Sequence, residues 1–157
     1  MAINTNIQVG IPKAIELGLA VRWAEKVVDL GSELELPDTC PYKVLHWFYM
    51  DDTHHQWWAF WRTHETPVGF VAEDKNTGGI IVAIRGTSTA DEWFQNLQAR
   101  KVSFAKYQHH PGQTEEGFTN LYSSIKMGTA PNAQRLGNFL IALGNPDITI
   151  TGHSLGG

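Results

Sequence analysis

The residues best suited to chemistry stand at the end of the chain, where Gly152-His153-Ser154-Leu155-Gly156 follows Asp147 and the β-branched run Ile148-Thr149-Ile150-Thr151. Small residues on both sides of a serine let a strand reverse sharply into a helix, which lifts the hydroxyl out of the sheet in a strained backbone conformation. Gly152 and Gly156 meet that need. A serine hydroxyl becomes a useful nucleophile only when a histidine takes its proton and an acid orients that histidine. In a strand-turn-helix arrangement of this kind both partners follow the serine in the chain. The sequence ends at Gly157, so the 157-residue polypeptide by itself is expected to lack the base that would activate Ser154.

A second candidate lies some 70 residues earlier, where the apolar run Ile80-Ile81-Val82-Ala83-Ile84 ends in Arg85-Gly86-Thr87. The elements that must carry the two motifs can be read from periodicity and turn chemistry. From Pro12 to Leu30 the residues Ile15, Leu19, Val21, Trp23, Val27, Val28 and Leu30 fall mostly on one side of a helix, with Pro12 in its first turn and Gly31 ending it. Tyr42 to Met50, Trp57 to Arg62 and Val68 to Glu73 read as strands. Asp74-Lys75-Asn76-Thr77-Gly78-Gly79 is a turn into the buried strand 80–84, and these strands should pair antiparallel. Residues 90–97, 115–127 and 133–143 have helical spacing, the last closed by Gly144-Asn145-Pro146. Helix, strand, turn and strand into Ser154 form a βαβ-like approach, which favours a parallel sheet with covering helices. The Ile148-Ile150 strand belongs inside such a sheet and would otherwise leave an apolar edge.

Composition narrows the function classes. With 42% hydrophobic and 18% charged residues the chain reads as one globular domain, and a formal charge of −4 leaves no basic footprint for nucleic acid. No apolar run approaches the roughly 20 residues of a membrane span, and the start Met1-Ala2-Ile3-Asn4-Thr5-Asn6 lacks a signal peptide's basic and apolar segments. The expectation is a soluble protein, cytoplasmic or exported by a signal outside this sequence. The single Cys40 excludes an internal disulfide.

Val82-Ala83-Ile84-Arg85-Gly86-Thr87, Glu92-Trp93, Asn96-Leu97, the Gly117-Phe118 to Tyr122 helix and the ending GHSLGG together resemble the class 3, fungal-type lipases of the α/β-hydrolase superfamily, over residues 66–157. The resemblance implies an α/β fold, as the N-terminal part of an α/β-hydrolase. Its central sheet would be mostly parallel, with antiparallel N-terminal strands and flanking helices, and residues 1–157 would form a single incomplete domain. It implies hydrolysis of carboxylic esters in lipids, without cofactor or metal. Ser154 would be the nucleophile, and Thr87 and the Leu155 N–H would hold the oxyanion. Gly152, His153 and Gly156 would shape the turn. Residues 90–97 would form a lid helix carrying Trp93 and Phe94 toward substrate, with Asn96 a polar position near the oxyanion loop. The triad Asp and His would lie outside these residues. Partners would be a lipid or small ester and a transient lipid interface, with no nucleic acid and no transmembrane segment.

Other readings of the same residues stay open. Thr89-Ala90-Asp91-Glu92 is a capping-box pattern, so the threonines after Gly86 read also as helix caps, although a cap on Thr89 leaves Thr87 free. Trp93 reads equally as a packing residue. Many members of the family carry a histidine where Glu115 stands, a departure that touches only a structural contact. His46, His54, His55, His64, His109 and His110 read as turn or solvated residues, and Trp57 to Trp61 as strand packing. The same elbow serves a phospholipase A1 or a soluble, feruloyl-type esterase, and a gene that stopped at Gly157 would encode a non-catalytic binding module.

Overall fold

The computed structural model describes residues 10–30, 35–51, 65–86, 101–103, 112–128, 133–144, 146–153 and 156. Helix α1 spans Ile11–Leu30 and opens with the Ala14 N–H donating to the Gly10 carbonyl at 3.0 Å, while Pro12 sits where its missing N–H costs nothing. The buried stripe is Leu17, Ala20, Val21 and Ala24, spaced as one helical face. This corrects the expected face: Ile15 is 61% and Leu19 48% exposed. The chain is apolar on several sides of this helix, and the side with the small Ala20 and Ala24 wins because it lets the helix axis come closest to the sheet.

Strands β1 (Tyr42–Asp51), β2 (Glu65–Asp74), β3 (Ile80–Ile84), β6 (Lys126–Met127) and β7 (Ile148–Gly152) form one sheet in the order β6-β1-β2-β3-β7. A separate hairpin pairs β4 (Lys101–Ser103) with β5 (Gln113–Glu115). Helices α2 (Glu116–Ser124) and α3 (Leu136–Ala142) complete the described elements. The β2–β3 turn falls where its residue types place it. Asn76 N–H donates to Asp74 Oδ1 at 2.9 Å, and Gly78 takes φ 71°, a conformation costly for any residue with a Cβ. Strand β3 is buried on both faces. Ile81 and Ala83 pack with Phe70, Trp47 and α1, and Ile80 and Val82 pack with Phe48, Val71, Met127 and the apolar side of α3.

The sheet differs from the expected mostly parallel one. Among the described residues β1–β2, β1–β6 and β2–β3 are antiparallel and only β3–β7 is parallel. A tight turn can join only antiparallel neighbours, and a parallel pair needs a long crossover, which here runs from Ile84 to Ile148. Two helix boundaries also move inward. The helix expected over 115–127 stops at Ser124, and Lys126-Met127 instead pairs with Tyr49 and Phe48, burying Met127 in the core. The helix expected over 133–143 is confined to 136–142 and closes at Gly144, φ 80°. Ile150, on the edge strand of the described sheet, is 64% exposed. The expected strand 57–62 with its tryptophans and the expected lid helix 90–97 lie outside the described residues.

The N-terminal end of α1 is fastened to the β2–β3 turn. Lys13 Nζ lies 3.2 Å from Asp74 Oδ2 and 3.1 Å from Glu16 Oε1, and the Tyr42 hydroxyl donates to Glu16. Burial pushes the Asp74 carboxyl up, but the Asn76 N–H and the Lys13 ammonium outweigh it and hold the group below its ordinary value. A carboxyl depressed in this way contributes stability that is present above the unfolded value of about 4 and is lost as the pH falls through the folded one. With the exposure of Lys13 discounted, Asp74→Asn is expected to cost about 1–2 kcal/mol at pH 7. Urea melts at pH 7 and pH 3 check the sign, since the cost should shrink at the lower pH.

Candidate active site

The parallel pairing of β3 and β7 sets Ile84 opposite Gly152. Arg85-Gly86 and His153 therefore leave the sheet as neighbours at its carboxyl end, the end where open α/β sheets hold ligands. The Gly156 N–H donates to the His153 carbonyl at 2.9 Å, and Gly156 comes to rest against the end of β3. A Cβ at position 156 would lie 2.6 Å from the Arg85 carbonyl oxygen, 2.8 Å from that of Ile84 and 2.9 Å from Ile84 Cγ2. Such contacts are closer than a methyl group tolerates, so glycine is required by the packing of one motif's backbone on the other's.

Arg85 ties the same corner together from beneath. Its own N–H donates to Val68 O at 2.9 Å, its Nε to Pro67 O at 2.9 Å and its Nη1 to Gly86 O at 2.8 Å. The residue is only 8% exposed. A buried guanidinium needs its N–H groups satisfied, and backbone carbonyls at the start of β2 and just past β3 do part of that here.

His153 points to the opposite side, toward α1. Its Nδ1 lies 3.2 Å from Glu25 Oε1, with the His153 side chain 69% exposed. An exposed pair of this kind stabilises by less than about 1 kcal/mol, so its value is directional: it turns the imidazole toward α1. A groove of about 450 Å³ runs there, between Ala14, Gly18 and Arg22 of α1 and Thr151 to His153.

Of the residues singled out in the sequence, Gly152, His153 and Gly156 stand at this carboxyl end, and Thr87 and Ser154 are bonded directly to Gly86 and His153. Ser154, Leu155, Thr87, Trp93, Phe94 and Asn96 themselves lie outside the described residues, as do His54, His55, His64, His109 and His110. His46 is on β1, edge-on to Phe139 with ring centres 5.0 Å apart. Among the described residues no group of three or more His, Cys, Asp or Glu gathers around a metal-sized site, and no helix is long and apolar enough to cross a membrane. The side chains of Arg85 and Glu25 were not singled out from sequence. A charged residue closing a buried apolar strand was the available signal for Arg85; nothing in the spacing links Glu25 to His153.

Residues 81–157, the segment that begins in β3 and includes both motifs, match the family model described as lipase (class 3). No curated protein matches the chain. Among solved structures it is similar to the Rhizomucor miehei lipase propeptide complex. For a deletion mutant of that complex the TM-score is 0.58 at 18% identity, covering 94% of this chain and 43% of that one. For the native complex the TM-score is 0.54 at 19% identity, covering 94% and 44%. The chain thus spans less than half the length of the solved chains it resembles. Residues 81–157, which carry both motifs, thus resemble the class 3 lipases, and the chain as a whole has a fold similar to that of the fungal lipase structures.

Proposed function

We propose that this carboxyl end of the sheet serves a serine hydrolase of carboxylic esters in lipids, of the triacylglycerol lipase type. The observation that supports the reading is the seating of Gly156 on the Ile84 and Arg85 carbonyls, which brings a glycine of the GHSLGG motif against Arg85 of the earlier motif, in the segment that matches the class 3 lipase model. In this reading Ser154 attacks the ester carbonyl and forms an acyl-enzyme, and water later releases the acid. Thr87 and the Leu155 N–H hold the oxyanion, for which each donor is worth about 2.7–4 kcal/mol of transition-state stabilisation. Residues 90–97 act as a lid, with Trp93 and Phe94 meeting substrate and Asn96 beside the oxyanion loop. Substrates are lipid or small esters met at a transient lipid interface, and no cofactor takes part.

A chain-length series of p-nitrophenyl esters, assayed on the product of the whole reading frame, tests the substrate class. Rates should rise for long acyl chains and jump at the micelle threshold. A preference for acetate with no jump would replace the lipase reading by a soluble esterase, and failure of a fluorophosphonate probe to label Ser154 would leave a non-catalytic binding module. The 157-residue polypeptide by itself is proposed to be inactive. Oxyanion stabilisation and binding without a general base supply at most about 10³–10⁴ over water. Turnover by that polypeptide that vanished in Ser154→Ala would overturn this.

A further inference from the structure

We infer that Arg85 is a positioning residue for the ester hydrolysis proposed above, on which the inference rests: its guanidinium holds the peptide unit joining Gly86 to Thr87 and thereby aims the Thr87 N–H. A peptide unit is planar and trans, so its C=O and N–H point in opposite directions and turn together. Nη1 of Arg85 donates to the Gly86 oxygen at 2.8 Å, on the carbonyl side of the unit whose other side carries the proposed oxyanion donor. Rotating that N–H out of line would break a charge-assisted bond in a buried site. Such bonds are about twice as strong as neutral ones.

The clamp is itself anchored. Nε donates to Pro67 O and the Arg85 backbone N–H to Val68 O, so the guanidinium is referenced to β2, the neighbour of β3 in the sheet. The positive charge also draws electron density from the Gly86 carbonyl, and hydrogen bonds in series polarise one another, which makes the N–H on the far side a better donor. Lysine would keep the charge but has no planar fork to bridge two carbonyls.

Arg85→Lys in the product of the whole reading frame is therefore expected to lower kcat on a p-nitrophenyl ester by about 10–30-fold with KM unchanged within about twofold, the signature of an interaction used in the transition state. Fluorophosphonate labelling should slow in parallel. Val71→Ala, buried in the sheet core away from both motifs, serves as the stability control: it should lower the melting temperature and leave kcat unchanged. An Arg85→Lys protein that also melted earlier but kept the wild-type kcat would make Arg85 a structural residue only and overturn the inference. Wild-type protein that neither labels nor turns over sinks the Ser154 reading first, and this one with it. Should Arg85→Lys fail to fold, the wild-type Thr87 amide decides: an NMR order parameter near about 0.85 supports a held donor, and one below about 0.6 overturns it.

Discussion

Ser154→Ala in the product of the whole reading frame is expected to lower kcat on ester substrates by about 10⁶-fold with little change in KM. Loss of the nucleophile removes the covalent route entirely, and the other members of a triad then contribute almost nothing, because they act only through it. About 10³–10⁴ of rate over water should survive, from whatever oxyanion donors and binding surface remain. That residue separates two outcomes. A variant that retains substrate binding and melts like the wild type but does not turn over identifies Ser154 as the attacking group. A variant that keeps more than about a hundredth of the wild-type kcat moves the chemistry to another side chain and removes the functional meaning of the GHSLGG turn. The substitution takes away one oxygen at the position after His153, so an effect of this size could not come from packing.

Gly156→Ala is expected to be the next most damaging change, for a reason that has nothing to do with reactive groups. The added methyl would press on the carbonyl oxygens of Arg85 and Ile84 and on Ile84 Cγ2, all within 2.9 Å. Two of these are backbone atoms, one on β3, which pairs with β2 on one side and β7 on the other, and one on Arg85 just past it, whose N–H is bonded to Val68 O, so they cannot swing aside as a side chain would. The turn after β7 must move instead. Overpacking of this kind costs about 1–3 kcal/mol, and a displacement of about 1 Å between reacting groups costs on the order of 10²-fold in rate. Thermal melts and kcat measured together should show both losses. A Gly156→Ala protein with wild-type kcat would mean that the two turns need not touch for the chemistry, which would also remove the observation on which the proposed function rests.

Much of this chain could be read before its fold was known, but unevenly. The turn 74–79 and strand 80–84 were legible because Asp, Asn and Gly act through their own backbone and neighbouring N–H groups, within a few residues. The strand into Gly152 was legible for the same reason, as was the demand for small residues around Ser154. The buried face of α1 was legible only at Val21, because Ile15 and Leu19 are as apolar as the residues that go inside and only the proximity of the sheet selects Ala20 and Ala24. Lys126-Met127 left the helix pattern because the edge of β1 offered Phe48 and Tyr49 as partners, a bond made across a separation no local pattern encodes.

Residue types and local spacing alone establish two chemically distinctive motifs, each closing a strand rich in β-branched residues, one of them with a serine between glycines. That they are neighbours comes from the sheet. The parallel pairing of Ile84 with Gly152 brings together segments 68 positions apart (152 − 84), lets Gly156 seat on the carbonyls of Ile84 and Arg85, and turns the arginine after β3 into a clamp on the Gly86 carbonyl. Strand ends and turns follow from local backbone preferences. Which strand lies beside which depends on burying β3 from both faces, a property of the whole sheet and its helices.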